Sequence, residues 1–162
     1  MSIYTTIDSP IGRIVLTGEE TATGVALTAV KVGTPAPQGA RRADAPFAEA
    51  VRQFAAYFAG ERTAFDLDLR PAGTDFQHRV WAEVAAVPYG RTTTYGEVAA
   101  RIGAPRDRIR AVGAAVGANP LLIVRPCHRV IGAGGALTGY AAGIERKRFL
   151  LTHEGALQPT LI

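Results

Sequence analysis

The run Arg70-Pro71-Ala72-Gly73, followed at once by Thr74-Asp75-Phe76-Gln77, constrains the fold more than any other stretch. Proline and glycine interrupt regular structure. A threonine with glutamine three residues on is a capping box, which marks a helix start. The chain has 162 residues, enough for one domain or two small ones. The expectation is an α+β protein: residues 1–73 a small antiparallel sheet with one helix, residues 74–162 a mostly helical domain.

In the first half, Ile3–Ile7 and Gly12–Leu16 alternate around the turn signal Asp8-Ser9-Pro10, and Gly24–Val30 predicts a third strand. The segment Val32–Ala43 holds two prolines and two glycines and is read as loop. Phe47, Val51, Phe54, Ala55 and Phe58 recur at helical spacing over Ala45–Phe58, and Gly60 closes that helix.

The second half is better punctuated. The helix opened by Thr74 turns Phe76, Val80, Trp81 and Val84 inward and stops at Pro88-Tyr89-Gly90. A second capping box, Thr94-Tyr95-Gly96-Glu97, opens a short helix to Arg101. Ile102-Gly103-Ala104 turns the chain, and Pro105 suits the first turn of a helix to about Ala118, ending before Asn119-Pro120. Two helices around a glycine turn form a helix-turn-helix candidate. Leu121–Val124 predicts a short strand, and a last helix over 144–153 ends at Gly155.

Composition excludes several classes. No apolar run approaches the roughly 20 residues that cross a bilayer, and the N-terminus lacks a signal-peptide pattern; no membrane partner and a reducing cytoplasm are expected. The single cysteine, Cys127, can make no internal disulfide, and no cysteine cluster holds zinc. Residues 1–73 carry 7 basic and 8 acidic side chains, net −1; residues 74–162 carry 11 and 6, net +5. Only Lys31 and Lys147 are lysines. An arginine-rich half suits a phosphate-bearing partner, although a GC-rich genome writes arginine for lysine as well.

The helix at 105–118 has two distinct faces. Ile109, Val112 and Val116 are expected inward, while Ala111, Ala114, Ala115 and Ala118 form a bare surface beside Gly113 and Gly117. Arg106, Arg108 and Arg110 crowd its N-terminal end, where backbone N–H groups attract phosphate. Major-groove readers present long polar side chains; a methyl-covered face suits close, sequence-blind approach in the minor groove. Packing against another helix is the other use of such a face, and both stay open here.

Arg125-Pro126-Cys127-His128-Arg129-Val130 is the strongest chemical signal. A lone cysteine is commonly a small buried hydrophobe. Here Pro126 places it at a bend, His128 offers a base, and the flanking arginines favour a thiolate. Adjacent side chains of a regular strand point apart, so Cys127 and His128 share a proton only through a bend or a bridging water. Glu154 ends the last helix, where the dipole disfavours a carboxylate. Such a residue has either a partner elsewhere, such as His128, or a frayed exposed site.

Pro-Cys-His-Arg-Val, preceded by Arg-Ala-Val-Gly and Ala-Asn-Pro and followed by Gly-Tyr and His-Glu-Gly, resembles the O6-alkylguanine-DNA alkyltransferase family, the methylated-DNA–protein-cysteine methyltransferases. The match spans about residues 74–155; the first half is similar to the variable N-terminal domain only in size and pattern. The resemblance implies direct DNA repair. Cys127 would irreversibly accept an alkyl group from O6-alkylguanine, and also from O4-alkylthymine, after the nucleotide flips out of duplex DNA. His128 would act as base through a water, Glu154 would orient it, and Asn119 would hold the turn between recognition helix and acceptor. Tyr95 and Arg110 would serve flipping, and Ala111, Gly113, Ala114, Ala115 and Arg129 would meet DNA. Tyr140, Ala141 and Val130 would form the base pocket. The resemblance implies neither cofactor nor metal, and a monomer, with cooperative assembly on DNA left open.

Three departures stand out. Arg125 occupies a place where many members have an apolar residue, and on a strand it would share a face with Ile123. Ala141 stands where some members have serine. The N-terminal half lacks cysteine and histidine, and so lacks the structural zinc site of some relatives. The competing readings are a protein that recognises alkylated DNA without chemistry, a helix-turn-helix transcription regulator, and a cysteine hydrolase built on Cys127, His128 and Glu154.

Overall fold

A computed structural model describes residues 2–157, with the side chain of Arg106 outside the described set. The chain divides into two compact units, Met1–Ala72 with Pro120–Val124, and Gly73–Asn119 with Arg125–Ile162. These units differ from the contiguous division expected at residue 73 only in the placement of Pro120–Val124. Backbone bonds explain the exception: the Val30 amide donates to Pro120 O, and the Leu122 amide donates to Val30 O.

In the first unit, β1 (Ser2–Ile7), β2 (Ile14–Thr21) and β3 (Gly24–Val32) form an antiparallel meander. The fold is α+β as expected, with one addition. The segment read as loop contributes β4 (Arg41–Arg42), which pairs parallel with β1 at Ile3 and Tyr4. Two arginines carry no alternation, so only the tertiary pairing defines this edge. The β2–β3 register shifts at Thr17/Gly18. A Cβ on Gly18 would lie 2.3 Å from the Ala26 carbonyl oxygen, so glycine is what allows the strands to close.

A tight turn over Ala45–Phe47 leads into α1 (Ala48–Phe58). Its buried face is Ala50, Gln53, Phe54 and Tyr57, rather than the expected Val51, Ala55 and Phe58. Two contacts explain the rotation. Gln53 exchanges hydrogen bonds with the Asp66 backbone at 2.9 and 3.0 Å, and Phe65 packs on Phe54 and Tyr57.

The second unit opens with α2 (Asp75–Ala85), whose capping box is complete: Thr74 Oγ1 accepts from the Gln77 amide, and Gln77 Oε1 accepts from the Thr74 amide. Val80, Trp81 and Val84 are buried, whereas Phe76 is half-buried beneath the Arg108 guanidinium. The second box is only half made. Thr94 caps α3 (Tyr95–Arg101), but the Glu97 carboxylate accepts from Thr93 Oγ1. The cause is local pairing, since Thr93–Thr94 form β5, parallel to β6 (Val130–Ile131).

Gly103, at φ +70°, turns the chain, a tight turn covers Arg106–Arg108, and α4 runs over Ile109–Gly117. The second helix of the pair is thus shorter than expected. Ile109 begins it and is 38% exposed instead of inward. The Arg79 guanidinium holds the turn by donating to Ile102 O, and the Trp81 indole donates to Ala115 O at 2.8 Å.

Leu121–Val124 is not a strand. Leu121 makes a single bridge to Val30; Ile123 then takes φ +71° and the Val124 amide closes on Leu122 O. A β-branched residue with positive φ is strained, so Arg125 does not share a strand face with Ile123. The last helix, α5, covers Ile144–His153, and Gly155 follows at φ +78°.

Gly18→Ala is expected to lower the unfolding free energy by about 1–3 kcal/mol, the usual range for overpacking against a fixed neighbour. Urea denaturation measures this.

Candidate active site

Pro126, at ψ +63°, breaks the backbone, and Cys127–Arg129 form one 3-10 turn. The Cys127 amide donates to Arg125 O at 2.8 Å, and Asn119 Nδ2 donates to the same oxygen at 2.9 Å. Asn119 is itself buried and also hydrogen-bonds the thiol. One amide thus fixes both the entry to the turn and the sulfur.

Behind the thiol lies a buried charge network. Glu154 accepts from His128 Nε2 at 2.8 Å and from Arg129 Nε and Nη2 at 2.8 and 3.1 Å. Arg129 Nη1 donates to Val87 O. The helix-terminal carboxylate therefore has the distant partner that its position called for. A carboxylate beside a guanidinium only accepts, so Nε2 carries the imidazole proton and Nδ1 keeps its lone pair. Nδ1 is buried and has no hydrogen-bond partner among the described residues. Burial pushes the His128 pKa below its ordinary value, against the pull of Glu154. His128 is thus a neutral base of fixed tautomer.

Arg129 corrects an expectation. It is 7% exposed with its donors engaged, so it cannot face DNA; its role is to hold Glu154.

Burial pushes the Cys127 thiol up to about 11, while the Asn119 hydrogen bond and the Lys147 charge pull it partway back. The thiol is therefore protonated near neutral pH and needs a base. Tyr140 is held well above its ordinary pKa by burial, then by Cys127 and Glu154. Its ring stands edge-on to His128, and its hydroxyl is buried without a hydrogen-bond partner among the described residues.

Lys147 was missed by the sequence reading. It is fully buried, and its ammonium donates to Val130 O, Thr138 O and Gly139 O at 2.6, 2.7 and 3.2 Å. Burial lowers its pKa to about 8. The available signal was a lysine on the apolar face of α5, three and four residues before the buried Leu150 and Leu151.

The sulfur opens into a cavity of about 220 Å³. Its walls are Tyr95 of α3; Gly113, Val116 and Gly117 of α4; and the loop residues Gly139, Tyr140 and Ala141. Lys147 anchors this loop from within, and the Tyr95 hydroxyl donates to Thr138 O at 3.4 Å. A Cβ on Gly117 would touch nothing, so its place on the wall is open.

Beside the cavity, α4 exposes Arg110, Ala114, Gly117 and Ala118, with Ala111 half-buried. Two further expectations change. Ala115 is buried because its backbone receives the Trp81 indole, and Val130 is buried in β6, outside the cavity lining. The Arg106 side chain, expected to attract phosphate, lies outside the described residues. His78 is exposed against Trp81, and His153 stacks on Phe149. Among the described residues, no group of three His, Cys, Asp or Glu side chains could hold a metal ion. No described helix is long and apolar enough to cross a membrane.

Comparison with known proteins gives this arrangement its class. Residues 2–71 match the model of the 6-O-methylguanine DNA methyltransferase ribonuclease-like domain, and residues 75–156 match that family's DNA-binding domain. The methylated-DNA–protein-cysteine methyltransferases of Mycobacterium bovis and Methanosarcina acetivorans are 50% and 48% identical to the chain. The alignments cover 96% and 94% of this chain, and 94% and 98% of those proteins. Mycobacterium tuberculosis O6-methylguanine methyltransferase superposes with TM-score 0.86 at 48% identity, covering 98% of this chain and 96% of that one. Mycobacterium tuberculosis OGT in complex with DNA gives 0.85 at 49% identity, covering 95% and 93%. The chain belongs to the 6-O-methylguanine DNA methyltransferase family.

Because the folded-state pKa of His128 lies below the unfolded value of 6.5, the unfolded chain binds more protons in the window beneath 6.5. The stability due to a neutral His128 is present above that pH and is lost as pH falls through the folded pKa. Unfolding free energies of the wild type and His128→Asn, measured from pH 7 downward, should converge as the solution is acidified.

Proposed function

We propose that this chain repairs DNA by moving an alkyl group from O6 of guanine to Cys127, once per protein molecule. As a member of its family it is a methylated-DNA–protein-cysteine methyltransferase, and DNA is its partner. The observation that carries the residue assignment is the placement of the lone cysteine. Its sulfur faces a cavity lined by Tyr140, and among the described residues the buried Tyr140 hydroxyl and the neighbouring His128 Nδ1 have no hydrogen-bond partner.

The duplex docks on the bare face of α4, where Gly113 and Ala114 let backbone approach backbone in the minor groove. The damaged nucleotide rotates out of the stack, Arg110 takes its place, and Tyr95 crowds the adjacent phosphate. The cavity is smaller than drug-sized pockets of roughly 300–1,000 Å³, which suits one flat base.

His128 Nδ1 takes the thiol proton, through a bridging water where the two do not touch, and Glu154 stabilises the imidazolium that forms. The thiolate attacks the alkyl carbon in line; the carbon–oxygen bond breaks and its electron pair goes to the guanine. The Tyr140 hydroxyl donates to the base as negative charge gathers there. The product is a thioether, which water does not readily cleave, so the protein is consumed. O4-alkylthymine fits the same chemistry, since it too carries an alkyl group on a ring oxygen. The reading includes a monomer acting in the cytoplasm, with no cofactor required.

Intact-protein mass after incubation with an O6-methylguanine duplex tests this. The mass should rise by one methyl group, saturate at one per protein, and stay unchanged in Cys127→Ser. Tight binding to the lesion without a mass shift would make the chain a recognition protein instead. Arg110→Ala should slow transfer by roughly ten- to a hundredfold, the scale of the few kcal/mol needed to unstack a base. Its reaction with iodoacetamide should match the wild type, because Arg110 lies outside the cavity lining.

A further inference from the structure

Arg125 leads into the acceptor turn, and the chemistry above does not use its side chain. Its carbonyl anchors the turn, accepting from Asn119 and Cys127. Its guanidinium carbon lies 5.4 Å from the centre of the Trp81 ring. One guanidinium nitrogen, Nη1, is buried without a hydrogen-bond partner among the described residues. Such a group is costly, and stacking on an aromatic face offsets the cost.

Trp81 is 1% exposed, and its indole N–H is tied to the Ala115 carbonyl in the middle of α4. A Cβ on Gly73 would lie 2.6 Å from the ring, so close-packed backbone fences the indole there. The groups that act on the thiol are Asn119 and Lys147, and Arg125 is not among them.

We infer that Arg125 is a positioning residue: by stacking on Trp81 it sets α4 against the acceptor turn, so that the helix that docks on DNA and the sulfur that reacts share one frame. An apolar side chain can fill this space but cannot supply a flat cation, and lysine lacks the plane. The inference rests on α4 being the DNA-docking helix.

The test uses the full chain carrying Arg125→Met, with three readouts. These are affinity for an undamaged duplex by fluorescence anisotropy, methyl transfer from an O6-methylguanine duplex, and alkylation of Cys127 by iodoacetamide from neutral to alkaline pH. Duplex affinity and transfer should each fall about fivefold. The iodoacetamide rate, its pH midpoint and the Tm should stay unchanged. Arg125→Lys should not restore the loss. Trp81→Phe, which drops the buried N–H bond to Ala115 O and part of the ring, should weaken duplex binding and transfer and also lower the Tm.

A shifted pH midpoint would overturn the inference by placing Arg125 on the thiol. Unchanged duplex binding and transfer would overturn it by leaving α4 indifferent to the side chain. A joint fall of all readouts with Tm would reduce Arg125 to a stability role and overturn it too. If the wild type took no methyl group from the duplex, alkyl transfer itself would fail, while the affinity readout would still decide the role of Arg125.

Discussion

The carboxylate of Glu154 is the group on which the site depends. It is buried with His128 and Arg129, and it satisfies both at once. Removing one partner of such a network strands a charge, typically at a cost of about 3–5 kcal/mol. The same contact fixes the imidazole tautomer and leaves Nδ1 as the basic nitrogen. Arg129 cancels the charge that would otherwise make His128 easier to protonate. Stability and reactivity therefore rest on one set of bonds.

The cavity is built by a complementary device. On its α4 wall only Val116 carries a side chain, because Gly113 and Gly117 stand where larger residues would fill the space. Its opposite wall is an irregular loop that would have little to hold it. Lys147 supplies the hold, with three hydrogen bonds from one ammonium to three carbonyls. Its proximity also eases ionisation of a thiol that burial otherwise opposes. On the proposed reading, a protonated resting thiol is spared adventitious alkylation until substrate enters the cavity.

Much of this was legible beforehand. The helices around the turn at Gly103, the capping box at Thr74 and the bounds of α5 follow from local rules of capping and period. The pairing of Glu154 with His128 was readable because a carboxylate at a helix C-terminus is locally misplaced. Four features were hidden. Arg129 reads from sequence as a free cation, yet burial turns it into a strut. Ala115 and Val130 look like surface and pocket residues, but a tryptophan and a strand pairing cover them. Ile123 sits in a strand-like run, and only the surrounding packing forces its positive φ.

The sequence by itself determined the kinds of element, the single cysteine with a histidine beside it, and the small-residue face of the second helix of the pair. These depend on interactions within a few residues, which spacing encodes. The tertiary structure alone decided which charges face water and which are buried, how far α4 is rotated, that Lys147 is buried, and that Arg125 lies over Trp81. Those outcomes depend on partners tens of residues away, such as Arg129 with Glu154 and Trp81 with Ala115. No local pattern records desolvation and long-range pairing; they are settled only when the chain closes on itself.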